Sequence, residues 1–174
     1  FYLNDYKKLY ELILKLEKSE KKIILIGVSY ALLDFIENFS LNTENLIIIE
    51  TGGMKGRRKE ITREELHDKL KKGFNSNNIK SEYGMTELLS QAYSNTNGIF
   101  KSPSWLKVLA RDINNPLSVN LQGKGALNFI DLANINSCSF IASDDIGEVY
   151  QDSSFKVLGR LSNSEIRGCN LMFN

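Results

Sequence analysis

Residues 22–28 read Lys-Ile-Ile-Leu-Ile-Gly-Val, a nearly continuous run of β-branched and apolar side chains. In a chain of alternating elements such a run predicts a strand buried on both faces of a parallel sheet, because a half-exposed strand alternates apolar with polar. The flanks agree. Over residues 5–18, Leu9, Leu12, Ile13 and Leu16 recur at helical spacing among lysines and glutamates, the pattern of an amphipathic helix. Residues 31–39 predict a second helix and residues 45–50 a second buried strand. Thr62 and Glu65 have capping-box spacing, Leu66 and Leu70 supply an apolar side, and Gly73 is expected to end that third helix. A third strand then runs into Ser81.

This alternation predicts an α/β fold over residues 1–93: a parallel sheet with flanking helices and a ligand crevice at the carboxyl ends of its strands. Beyond Tyr93 glycine, asparagine and serine become frequent. Short apolar runs at 105–110, 126–132, 139–142, 147–150 and 155–158 are separated by turn residues, so residues 94–174 are expected to form a β-rich portion. Pro103 and Pro116 fall in loops, and no internal repeat or low-complexity tract interrupts the chain.

Composition narrows the function classes. With 42% hydrophobic and 25% charged residues the 174-residue chain is suited to a well-buried core. A net charge of +1 makes no electrostatic case for nucleic acid, and the apolar runs at 23–28 and 46–49 are too short to span a bilayer. Cys138 and Cys169 lack metal-ligand spacing and are expected to be free thiols in a reducing cytoplasm, with a single disulfide as the alternative. A chain that opens on Phe1 is expected to be a piece of a longer protein, cut upstream.

The residues suited to chemistry follow expected strands. Residues 82–87, Glu-Tyr-Gly-Met-Thr-Glu, place the Glu87 carboxylate in the first turn of a helix starting near Thr86. Tyr83 stands beside it, and Gly84 permits a tight turn. Such a corner can stack a base and hold a metal, although Thr-Glu is also how an ordinary helix begins. Residues 50–58 carry paired glycines, Gly52 and Gly53, with Lys55, Arg57 and Arg58 available to an anion or simply solvated. Asp144 and Asp145 are read as an acidic turn between two strands, able to accept from a ribose diol or to make an Asx turn. Arg160 ends a further strand and pairs with either a nucleotide or an aspartate. Cys169, beside Arg167, is either a small buried hydrophobe or a thiol with a lowered pKa. His67 is expected to be solvated on its helix.

The ordered segments Glu-Thr-Gly-Gly-Met-Lys-Gly-Arg (50–57), Glu-Tyr-Gly-Met-Thr-Glu (82–87), Ser-Asp-Asp-Ile-Gly-Glu-Val (143–149), and Gly-Arg (159–160) with Glu-Ile-Arg-Gly-Cys (165–169) resemble the acyl-adenylate-forming superfamily. Within it the chain is most similar to the carboxyl-terminal half of acyl-protein synthetases of the bacterial luminescence fatty-acid reductase type. The resemblance implies ATP and Mg²⁺ as cofactors and a fatty or other carboxylic acid as substrate. It implies that Tyr83 packs on the adenine with Gly84 in the same cofactor site, that Gly52 and Gly53 line the nucleotide and acyl pocket, and that Thr86 lies near the α-phosphate. Glu87 would hold Mg²⁺, Asp145 the ribose hydroxyls, and Arg160 would follow it in the nucleotide site. Cys169 would accept the acyl group before transfer to an acceptor protein or reductase.

The superfamily's Ser/Thr/Gly-rich phosphate loop and lysine-bearing mobile domain are not found among these residues. An aryl- or acyl-CoA ligase fragment is the nearest alternative, and a non-catalytic nucleotide- or partner-binding module the alternative of another class.

Overall fold

Strands β1 (Ile23–Val28) and β2 (Leu46–Thr51) pair in parallel, with Ile23 opposite Leu46 and Val28 opposite Thr51. Helices α1 (Tyr6–Glu17), α2 (Ser29–Asn38) and α3 (Arg63–Phe74) flank them. The computed structural model describes residues 1–161 apart from 4, 20, 44, 95 and 96, and falls into two compact units, Phe1–Lys80 and the chain from Ser81 onward. Each strand–helix alternation in the first unit follows from its apolar period: Leu46 and Ile48 of β2 are buried against Leu32, Leu33 and Phe35 of α2 and Leu66, Leu70 and Phe74 of α3. The Phe35 ring stacks on Phe74 at 5.7 Å and on Phe39 at 5.3 Å, which ties the two helices together.

Two expectations about this unit are corrected. β1 is the outer strand of the pair, and Ile24 and Ile26 are 59% and 56% exposed, so the run is not buried on both faces. Only one face of β1 receives helices among the described residues, and a continuous apolar run does not reveal which faces will be covered. The capping box at Thr62 and Glu65 forms as expected. Gly73, however, lies inside α3, and the helix ends at Asn75, whose φ of 47° puts it in the left-handed region and whose N–H donates to the carbonyls of Lys71 and Lys72. What requires glycine at 73 is packing, since a Cβ there would lie 2.5 Å from Ile36 Cβ.

The second unit is antiparallel. Its strands, in spatial order, are β3 (Ile79–Tyr83, beginning in the first unit), β4 (Ala92–Ser94), β5 (Ile99–Lys101), β10 (Phe155–Arg160), β9 (Phe140–Val149), β8 (Gly123–Asp131), β6 (Leu106–Arg111) and β7 (Val119–Asn120). A 3-10 turn, Leu132–Asn134, follows β8. Tyr83, Phe100, Phe129, Phe155, Leu127 and Val108 form its core. The acidic turn expected at Asp144–Asp145 is instead the middle of β9, a single ten-residue strand where two short ones were expected. β10 pairs there, Arg160 lying opposite Asp145 and the Leu161 N–H donating to the Asp144 carbonyl, while the β8 register shifts past this stretch between Ala126 and Asn128; pairing with β10 outweighs the weak strand preference of aspartate. Nor does a helix begin at Thr86: residues 86–87 form a turn, and the chain continues into the β3–β4 hairpin. Among the described residues no helix is long and apolar enough to cross a membrane.

Gly73→Ala gains about 1 kcal/mol of helix propensity but forces Ile36 to move, and overpacking of this kind costs about 1–3 kcal/mol. The variant is expected to melt several degrees below the parent in a thermal denaturation scan. A melting temperature equal to or above the parent would remove the packing explanation.

Candidate functional site

Tyr83 ends β3 with its ring 3% exposed. It stacks on Phe129 at 5.5 Å and meets Phe155 and Phe100 edge-on at 5.4 and 5.8 Å. Its ring faces are thus part of the core, and stacking a base on it requires the ring to leave that cluster. Its hydroxyl, by contrast, donates to Asp145 Oδ2 at 2.6 Å. Asp145 is opposite Arg160 across the β9–β10 pair, with Arg160 Nη1 3.9 Å from Asp145 Oδ1 and Nη2 3.8 Å from Asp144 Oδ2. Three residues from distant points of the chain therefore meet: a phenol, a buried carboxylate and a guanidinium.

Gly84 has no positive φ, so the turn after Tyr83 does not draw on glycine's freedom. Thr86 and Glu87 are exposed, and the turn closes through the Leu88 N–H to the Met85 carbonyl at 3.1 Å. The residues that fix this turn carry no motif and were missed from the sequence. Asp131, 0% exposed, accepts from Leu89 N at 3.0 Å, Ser90 N at 2.9 Å, Ser90 Oγ at 2.7 Å and Ala133 N at 3.1 Å. Asn134 Nδ2 donates to the Glu87 carbonyl at 2.9 Å and the Cys138 carbonyl at 3.0 Å. An aspartate preceding a short helical turn is the one signal that marks Asp131 in advance.

In the first unit, Gly52 and Gly53 follow β2 with φ of 71° and 62°, and Lys55 and Gly56 at 51° and 69° continue a left-handed loop. Glycine is required here because most side chains disfavour such angles. Arg58 is not available to an anion: it pairs with Asp34 and, at 2.6 Å, with Glu37, and Glu37's hydrogen bond holds its proton more tightly than usual. Arg57 lies 4.9 Å over the Tyr30 ring. His67 is corrected from solvated to buried, its Nε2 3.6 Å from Glu50 Oε1, while Ser29 Oγ donates to Glu50 Oε2 at 2.9 Å. Burial lowers the Arg63 pKa against the opposing charges of Glu50 and Glu64. Neither His67 nor Ser29 showed a pattern in sequence, since the first looked solvated among charges and the second opens a helix.

Cys138 is exposed, and its thiol donates to the Phe140 carbonyl at 3.2 Å. Cys169 and Arg167 lie outside the described residues.

Burial pushes the Asp131 carboxyl up, but the hydrogen bonds from Ser90, Ala133 and Leu89 outweigh it and hold the pKa below the ordinary value. A carboxylate depressed on folding stabilises fully above its unfolded pKa of about 4 and loses that contribution as pH falls through the folded value. Asp131→Asn is therefore expected to lower the melting temperature at neutral pH and to lose less than the parent between about pH 4 and pH 2. Parallel melting curves in acid would show that Asp131 adds nothing through its charge.

Comparison with known proteins identifies the family and the fold. The sequence matches the family described as acyl-protein synthetase, LuxE, over residues 3–174. No curated protein matches it. The fold is similar to ATP-bound MatB from Rhodopseudomonas palustris, with a TM-score of 0.61 and 14% identity over 86% of this chain and 33% of that one. It is similar also to a mutant form of coronafacic acid ligase from Pectobacterium brasiliense, at 0.62 and 17% over 97% of this chain and 35% of that one. O-succinylbenzoate coenzyme A synthetase (MenE) from Bacillus subtilis, in complex with ATP and magnesium ion, gives 0.56 and 16% over 91% and 36%. The chain thus spans about a third of each of these proteins and shares their fold over that span. The family match over residues 3–174 makes this chain a member of the acyl-protein synthetase, LuxE, family.

Proposed function

We propose that this chain is the nucleotide-binding portion of an enzyme that activates a fatty or other carboxylic acid with ATP and passes the acyl group to a protein thiol. The observation that carries the reading is the buried Tyr83–Asp145–Arg160 arrangement. A carboxylate held by one phenol and faced by one guanidinium is oriented to accept hydrogen bonds from a pair of ribose hydroxyls. Tyr83 then acts through its hydroxyl, which holds Asp145 in place. The left-handed loop at Gly52 and Gly53 lets a ligand approach the backbone closely. Gly84 and Thr86 keep the assignments of the resemblance: Gly84 in the cofactor site and Thr86 near the α-phosphate.

In the first step an oxygen of the acid attacks the α-phosphorus of ATP, the bond to pyrophosphate breaks, and an acyl-adenylate and pyrophosphate result. In the second a thiolate attacks the acyl carbon and AMP leaves. Positioning supplies much of this acceleration. Among the described residues no three His, Cys, Asp or Glu side chains converge to hold a metal. Mg²⁺ needs only one or two carboxylates where phosphates complete its octahedron, so the exposed Glu87 fits that donor set. Bound there, Mg²⁺ would neutralise charge on the phosphates. Family membership supports the protein-thiol acceptor over a CoA acceptor, with Cys169 as the proposed thiol and an acyl-acceptor protein or reductase as the onward partner.

Asp145→Asn in the full-length protein is expected to raise the KM for ATP in acid-dependent ATP–pyrophosphate exchange on the order of 10- to 100-fold, the worth of one or two charged hydrogen bonds. Replacing ATP by its 3′-deoxy analogue should penalise the parent more than the variant. Equal penalties would take Asp145 out of the ribose site.

Incubation with ATP and labelled fatty acid is expected to leave a hydroxylamine-sensitive label on the full-length protein, lost in Cys169→Ser and kept in Cys138→Ser. A label that survives without Cys169 assigns the acceptor elsewhere.

A further inference from the structure

The turn that presents Glu87 is held by Asp131, which also caps the 3-10 turn at Leu132–Asn134, and by Asn134, which also ties the Cys138 carbonyl. On its carboxyl-terminal side Asp131 takes the backbone N–H groups of Leu89 and Ser90 on one oxygen and the Ser90 hydroxyl and Ala133 N–H on the other. Ser90 Oγ in turn accepts from Trp105 Nε1 at 2.9 Å, which fixes the hydroxyl's direction. On the Glu87 residue itself, Asn134 Nδ2 donates to the main-chain carbonyl. Leu88, between these anchors, is buried in the core of the second unit. Glu87 thus has an exposed side chain on a backbone whose carbonyl, and whose following two N–H groups and side chain, are all held.

A surface turn in a β-hairpin does not require this. Loops of this size are ordinarily satisfied by solvent, and a buried aspartate that supports one costs desolvation that only a full set of donors offsets. The geometry points to Asp131 and Asn134 as positioning residues for Glu87: through the backbone they fix where its carboxylate stands, in the way outer partners orient the ligands of a metal. This rests on the reading of Glu87 as the Mg²⁺-side carboxylate and adds to it the residues that make that carboxylate effective. Neither residue touches the reacting atoms.

The test uses the full-length protein with Asn134→Asp, which keeps the shape but removes the donor, together with Asp131→Asn. Glu87→Gln and the core truncation Val108→Ala serve as references. Two quantities are read: the Mg²⁺ concentration giving half-maximal ATP–pyrophosphate exchange, and amide hydrogen exchange at Leu89 and Ser90 in the protein without nucleotide. Asn134→Asp and Asp131→Asn are expected to raise the Mg²⁺ midpoint on the order of 10-fold, the usual cost of losing an outer partner. Neither should raise it further in a Glu87→Gln background. Asp131→Asn should also speed exchange at both amides, while Val108→Ala loses thermal stability and leaves the Mg²⁺ midpoint in place.

If Glu87→Gln raises the Mg²⁺ midpoint but Asn134→Asp does not, or if Val108→Ala raises it as much, the clamp is structural only and the inference falls. If Glu87→Gln itself leaves the midpoint unchanged, the metal reading of Glu87 falls first and takes this inference with it. Should Asp131→Asn fail to fold, Asn134→Ala carries the same Mg²⁺ measurement.

Discussion

A carboxylate leaves water only where donors replace the solvent, and the second unit is arranged around two that have done so. Asp131 is satisfied by four donors, three from Leu89 and Ser90 in the hairpin beyond Glu87 and one from Ala133 just after it. Asp145 is satisfied by a phenol that arrives from β3 and faced by a guanidinium from β10. Because such groups tolerate little misplacement, each fixes the strands that bring its partners. The hydrogen bond from Tyr83 to Asp145 spans from the start of the unit to its centre, and the aromatic cluster of Phe100, Phe129 and Phe155 holds the phenol in line. The candidate site is thus an outgrowth of the core rather than an addition to its surface.

The first unit applies the same rule at the end of β2. Glu50 is buried there and meets Ser29 from the start of α2 and His67 from α3. Ser29 Oγ also lies 3.2 Å from the Thr51 carbonyl, immediately before the left-handed loop at Gly52. The left-handed loop thus starts from a residue pinned to a rigid scaffold, the placement that the proposed nucleotide role of Gly52 and Gly53 calls for.

Identity to the similar structures is 14–17%, yet the fold persists at TM-scores of 0.56–0.62. Core positions such as Leu46, Ile48, Phe100 and Phe129 demand only apolar character and fitting volume, so sequence drifts freely while packing is kept. Polar geometry is constrained differently, because removing one donor leaves a buried acid unpaired, whatever volume is kept. Function is therefore argued from Tyr83, Asp145, Arg160 and Glu87, and the fold supplies their frame.

Much of this was legible locally. The period of residues 5–18, the apolar runs of β1 and β2, the Thr62 capping box and the change of texture toward a β-rich second portion all follow from the chemistry of neighbouring residues. The ordered motifs carried the family. What neighbours alone did not determine depended on contacts distant in sequence. Asp144 and Asp145 look like a turn until β10 supplies backbone partners from Arg160 and Leu161. Gly73 looks like a helix end until Ile36 is found where its Cβ would be. Thr86 looks like a cap until Asp131 and Asn134 draw the following residues into a hairpin. The exposure of Ile24 and Ile26, and the burial of His67, depend likewise on which elements pack where. Local propensities are worth a kilocalorie or less per residue, whereas a buried polar group or a close-packed contact is worth several. By itself, then, the sequence determined the elements and the motif residues, and the tertiary structure decided which of those residues meet, because only long-range packing brings donors to the acids it buries.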